Sequence, residues 1–197
     1  MMNKKMTATK IAGVVAGVML ANAALAADGP QYTYVEGGYS WVDYDDLNAD
    51  GDAFNIGGSI AATDMIHLFA GYQDGEVEVG SFDIDVSTMQ LGAGLNVELS
   101  PTTDLVATAA WVRADLDANA FGSDDEDGYA LGVGVRAMIT PQFELNGGVS
   151  YVDISDDDTS LNIGAVYSFN ETFALTGGAS FGDNVTSYGI GVRAYFQ

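Results

Sequence analysis

The segment Asp46-Leu47-Asn48-Ala49-Asp50-Gly51-Asp52 places oxygen-bearing side chains at every second position around a glycine. This matches the first half of an EF-hand calcium loop, whose ligands stand at positions 1, 3, 5 and 7. Position 12, where a bidentate Glu belongs, is Gly57. The segment therefore reads first as a solvated acidic turn. Asp46, Asn48, Asp50 and Asp52 stand as candidate ligands for loosely held Ca2+ or Mg2+. A second set is Glu36, His67, Arg136, Glu144 and Arg193. Arg136 and Glu144 flank Thr140-Pro141 with the same phase, so a hairpin there would pair them. Glu36 and Arg193 lie near opposite ends of the chain and meet only if a first and a last strand become neighbours. Inside a closed sheet these charges would form either an ionic plug or a constriction controlling permeation. The glycine motifs 92–94, 132–134 and 189–191 lack the third glycine and following helix of a phosphate loop.

Composition narrows what can position these groups. The chain has 197 residues, no Cys, one His and a net charge of −22, with 48% apolar residues. It is too apolar for a disordered acidic tail and too acidic to seek nucleic acid. Without Cys there is no disulfide framework and no thiolate metal site. Residues 1–26 carry the three parts of a secretory signal. Lys4, Lys5 and Lys10 form the basic region, 11–20 the apolar region, and Ala24-Leu25-Ala26 a cleavage site. The expected mature chain, 27–197, holds three arginines against 28 acids, a net −25.

The remainder alternates with period two in segments of about ten residues, as the strands of an outer-membrane barrel do. The segments are 31–42, 53–62, 65–73, 86–97, 104–113, 128–139, 143–152, 159–169, 173–182 and 186–197. Ten strands predict a closed antiparallel up-and-down β-barrel crossing a bacterial outer membrane. Merging 159–169 with 173–182 would leave eight. One face is apolar and the other Gly, Ser, Asn, Thr and Gln. Trp41, Phe54, Tyr72, Trp111, Tyr129, Tyr151, Phe181 and Tyr188 gather at one end of that apolar face. Phe143, Phe169, Phe173 and Phe196 gather at the other, as the two interfaces of a bilayer select. Short connections near 63–64, 100–101, 140–141 and 170–171 mark the periplasmic side. Longer outer loops are expected at 43–52, 74–85, 114–127, 153–158 and 183–185, and these hold 21 of the 28 acids.

YTYVEGGY (32–39), PTTDLVATAAW (101–111) and DGYALGVGVRA (127–137) resemble a family of small outer-membrane β-barrels named for regulation by a diffusible signal factor. The resemblance covers 27–197. It implies the barrel fold and an outer-membrane location, and its strand motifs carry no chemistry. Such barrels usually end on Phe or Trp, whereas here Gln197 follows Phe196. An enzyme is not expected. Ten-stranded outer-membrane proteases use a His with acids at the outer rim, whereas His67 sits near a periplasmic turn, roughly 15–20 Å away. The expected function is structural or interactive: acidic surface loops, organised by divalent cations that bridge to lipopolysaccharide. The alternative is a narrow cation-preferring pore. Expected partners are outer-membrane lipid, lipopolysaccharide and, during biogenesis, the barrel-assembly machinery.

Overall fold

In the computed structural model, the described residues are 29–44, 49–79, 82–117, 123–154 and 156–196. The expected signal at 1–26, together with Asp46 and Asn48, lies outside them. Ten strands follow one another: β1 (Tyr34–Tyr44), β2 (Ala49–Ala61), β3 (Ile66–Val79), β4 (Phe82–Ser100), β5 (Thr103–Asp117), β6 (Ser123–Thr140), β7 (Phe143–Ile154), β8 (Asp156–Ser168), β9 (Phe173–Phe181) and β10 (Val185–Tyr195). Each pairs antiparallel with its sequence neighbours, and β1 pairs with β10 to close the barrel. Residues 159–169 and 173–182 fall on separate strands, which rules out the eight-stranded alternative. Closure pairs the backbone groups of every strand with two neighbours, the condition for crossing lipid with strands.

The short turns are tightened by side chains that stand in for backbone acceptors. Thr63 Oγ1 accepts from the amides of Met65 and Ile66 at 3.2 and 3.0 Å. Asn170 Oδ1 accepts from Thr172 and Phe173 at 2.8 and 2.9 Å. At the two remaining turns the register slips beside Pro101 and Pro141, each of which lacks the amide that a regular ladder would use.

Alternation assigns the faces through the middle of the wall. Leu91, Leu131, Ile163 and Val192 point outward and are exposed, while Gln90, Asn162, Arg136 and Arg193 point inward and are buried. The expected aromatic positions are outward as well, from Trp41 and Trp111 at one end to Phe169 and Phe173 at the other.

The strands at the outer end are longer than expected. Most of 43–52, 74–85, 114–127 and 153–158 is paired strand rather than loop. Here Glu76-Val77-Glu78, Asp85-Val86 and Asp115-Leu116-Asp117 still alternate, but with the polarity reversed. The acids face outward, and Val77, Val86 and Leu116 face inward and are buried. The reversal has a simple cause. Below the girdle the outside is hydrocarbon and the inside is polar. Above it the outside is water, so apolar residues turn to the axis, as they would in a soluble barrel. From Tyr72 to Glu78 this collar rises on the order of 15 Å along tilted strands.

Candidate functional site

The lumen is built in three levels. At the short-turn end is an ionic and aromatic floor. Arg136 on β6 and Glu144 on β7 meet across the Thr140-Pro141 hairpin, with Nε donating to Oε1 at 3.0 Å and Nη2 to Oε2 at 3.2 Å. Their side chains are only 3% and 1% exposed. Arg193 and Glu36 stand opposite each other where β1 meets β10, and Arg193 Nε donates to Glu36 Oε2 at 3.0 Å. Barrel closure thus brings together two residues 157 positions apart in sequence. A two-point guanidinium–carboxylate contact suits a buried pair, because it satisfies several donors at once.

Aromatic rings complete the floor. The Arg193 guanidinium lies 3.9 Å from the centroid of the Tyr34 ring, and Tyr34 meets Tyr195 edge-on at 6.3 Å. Tyr32, ahead of β1, donates to Asp104 Oδ2 at 2.8 Å, and Arg136 lies 4.3 Å from its ring centroid. The Tyr32 ring also stacks on His67 at 4.7 Å. His67 is 2% exposed, with Nδ1 placed 2.7 Å from Asn96 Oδ1. It is a wall residue at the inner end, far from any outer-rim acid. Tyr32, Tyr34, Asn96, Asp104 and Tyr195 were not singled out in the sequence. Tyr34 and Tyr195 do sit two positions from Glu36 and Arg193, so inward parity alone points to them.

The middle level is glycine-rich. A Cβ on Gly94 would lie 2.1 Å from His67 Cε1, and one on Gly92 would lie 2.5 Å from Phe69 Cζ. Glycine is what seats these rings. Two voids of about 40 Å³ each remain. One is lined by Glu36, Gln90 and Ser150, the other by Arg136, Asn146 and Asn162, and Thr108 lines both. Among the described residues Arg136 Nη1, Asn146 Nδ2 and Asn162 Oδ1 have no protein partner. Polar walls of this kind and size suit a few internal waters.

The outer level is apolar. Val42, Tyr44, Val77, Val86, Val112, Leu116, Val152 and Ile154 pack into one cluster across the barrel axis, and Val112 and Ile154 are fully buried. Outside the same level stands a belt of acids. Asp43 lies opposite Asp50, Asp50 opposite Glu78, Asp52 opposite Glu76, Asp85 opposite Asp117, and Asp115 opposite Asp125. Arg113 is the only base on this exterior among the described residues. It contacts Asp125 at 2.7 Å, Asp115 at 3.2 Å and Asp127 at 3.8 Å.

The expected calcium half-loop is not a loop where it is described. Asp50 and Asp52 lie on β2, both outward. A strand does not wrap its main chain round an ion, so the cupped coordination of a calcium loop is not what these two carboxylates share here. No group of three His, Cys, Asp or Glu side chains among the described residues is arranged to hold a metal ion.

A family model described as outer membrane protein beta-barrel domain matches residues 12–169. No curated protein matches the chain. Among solved structures, a KdgM porin in complex with disordered oligogalacturonate is similar at 8% identity and TM-score 0.50, covering 83% of this chain and 99% of that one. An outer membrane channel from Pseudomonas putida F1 is similar at 10% identity and TM-score 0.50, covering 84% and 96%. The translocator domain of the autotransporter NalP from Neisseria meningitidis is similar at 12% identity and TM-score 0.51, covering 98% and 94%. Identities this low speak for the barrel fold alone.

Proposed function

Because the chain belongs to the family of outer membrane protein β-barrel domains, and because its lumen is closed at two levels, we propose that it acts as a surface barrel rather than a conduit. The observation that carries this reading is the apolar packing of Val112, Leu116, Val152 and Ile154 across the outer lumen. A hydrated ion would have to displace that cluster, and water does not wet so narrow an apolar constriction. A cation-preferring pore would need the collar core to open. No catalytic role is assigned, since His67 is walled in at the floor.

The working surface is the acidic collar. Like charges directly opposite on neighbouring strands destabilise a sheet, and here such pairs recur from β1 round to β6. Arg113 is already engaged by three carboxylates, so no free exterior base among the described residues is left to hold lipid phosphates directly. Divalent cations, Ca2+ or Mg2+, resolve both conditions. Spread along the belt rather than held in a cage, they neutralise the facing carboxylates and bridge them to lipopolysaccharide phosphates. An open cleft of about 220 Å³ on that belt is lined by Asp74, Asp85, Asp115, Asp117, Asp124 and Asp125. We place the protein in the small-barrel group named for a diffusible signal factor, on the strand motifs quoted above. Its last strand, β10, with Phe196 directly after it, is the segment we expect the barrel-assembly machinery to engage.

Single-channel recording in a planar bilayer tests the sealed lumen. A folded, silent barrel is expected, and stable cation-selective steps would restore the pore. Melting with and without EDTA tests the collar. The expected result is a lower melting temperature on chelation, and an unchanged one would remove divalent bridging.

A further inference from the structure

We propose that Gly29–Thr33 is a strap that closes the periplasmic mouth of the lumen and swings on Thr33 to open it. The strap leaves β1 and crosses the mouth. Tyr32 reaches Arg136 on β6, which stands five strands from β1 in either direction round the closed ring. The same side chain donates to Asp104 on β5 and stacks on His67 of β3. Gln31 O accepts from Arg136 Nη2 at 3.2 Å, and Gly29 sits against the Pro101 carbonyl of the β4–β5 turn. One short segment thus runs from β1 to the β4–β5 turn across the mouth and is tied to side chains of β3, β5 and β6.

The attachments differ in kind. Thr33 is held by the two neighbours of β1: its carbonyl accepts from Phe196 N, just after β10, and its Oγ1 from Ala61 N at the end of β2. Beyond it, the strap meets the far wall through side-chain and single-carbonyl contacts: the Tyr32–Asp104 hydrogen bond, the Arg136 guanidinium on the Tyr32 ring and on Gln31 O, the stack on His67, and Gly29 against Pro101. The ionic pairs Arg136–Glu144 and Arg193–Glu36 lie entirely within the barrel wall and survive without the strap. The floor therefore has a fixed part and a removable part. Withdrawing Tyr32 uncovers His67 and Arg136, which line the two voids, and so opens those voids to the periplasm while the apolar collar still blocks the outer end. The result is a cup that opens to one side only.

The chain contains no cysteine, so a single introduced thiol reports access without background. Thr108→Cys faces the voids. In detergent micelles it should react slowly with a membrane-impermeant methanethiosulfonate. Adding Tyr32→Ala should speed the reaction by about tenfold or more, the change expected when one charged-partner hydrogen bond and a ring stack no longer hold the closed state. Asp104→Leu, which unties the strap without shrinking the ring, should accelerate it less, and heat-modifiable migration on gels confirms that each variant is folded. Equal rates with and without Tyr32→Ala would overturn the strap. So would Thr108→Cys reacting as fast as a thiol placed at the exposed Thr63. The inference rests on the sealed-lumen reading for its one-sidedness, and the two fail separately. Conductance of the unsubstituted protein sinks the seal, whereas the labelling ratio alone judges the strap.

Discussion

At the periplasmic mouth two arginines, two glutamates and three tyrosines fill the lumen. At the outer mouth valines, a leucine, an isoleucine and Tyr44 fill it, several of them from β1, β7 and β10, which also build the floor. The difference follows from what surrounds the wall. Where lipid lies outside, the outward positions must be apolar, so any large group that closes the axis is free to be polar, provided its charges are paired. Where water lies outside, acids occupy the outward positions and the axis closes by hydrophobic packing. The floor is therefore specific and brittle, held by a few hydrogen-bonded pairs. The collar is generic and graded, held by many small contacts and opposed by repulsion on its exterior.

Substitutions should separate the two. Glu144→Ala strands the buried Arg136 guanidinium and should cost about 3–5 kcal/mol in urea unfolding of the reconstituted barrel, almost independently of salt. Replacing both partners by Leu and Met should restore most of that loss. A single loss that is small or strongly salt-dependent would mean that the floor is solvated. In the collar, Ile154→Ala removes a fully buried side chain and should cost about 2–4 kcal/mol by the same measurement. It is also the change most expected to let intermittent conductance appear. Arg113→Ala frees three carboxylates on the exterior and should lower the urea midpoint only slightly at low salt, an effect that fades as salt is added. Smallest and opposite in sign, Asp85→Asn relieves repulsion with Asp117. It should stabilise by a few tenths of a kcal/mol in EDTA and by nothing measurable in excess Mg2+. An Asp85→Asn gain that persists in Mg2+ would break the link between collar and cations.

Much of this was legible in the residues. Ten alternating segments, two aromatic girdles and the Arg136–Glu144 and Glu36–Arg193 pairs follow from parity and from the neighbours that closure imposes. The collar was not legible as strand, because runs such as Glu76-Val77-Glu78-Val79 combine dense acid with reversed polarity, and acids between strands usually mean loop. Asp50 and Asp52 read as loop residues for the same reason, since every-second-residue spacing is shared by a cupped loop and by one face of a strand. Tyr32 was missed because 31–33 read as the start of the first strand, whereas β1 begins at Tyr34, and because its partners, Asp104, His67 and Arg136, lie on three other strands.

Period, side-chain chemistry and the apolar stripe are local properties, so composition and alternation alone determined that this chain makes a closed outer-membrane barrel. The order of its strands follows too, since sequential antiparallel hairpins leave little choice. What fills the axis at each height is set by inward-facing residues from up to ten strands and by the height at which each strand leaves the lipid. These are relations between distant segments, carried by register and tilt. Only the tertiary structure decided that the lumen is narrowed twice, once by paired charges together with the strap that covers them and once by a hydrophobic core standing clear of the membrane.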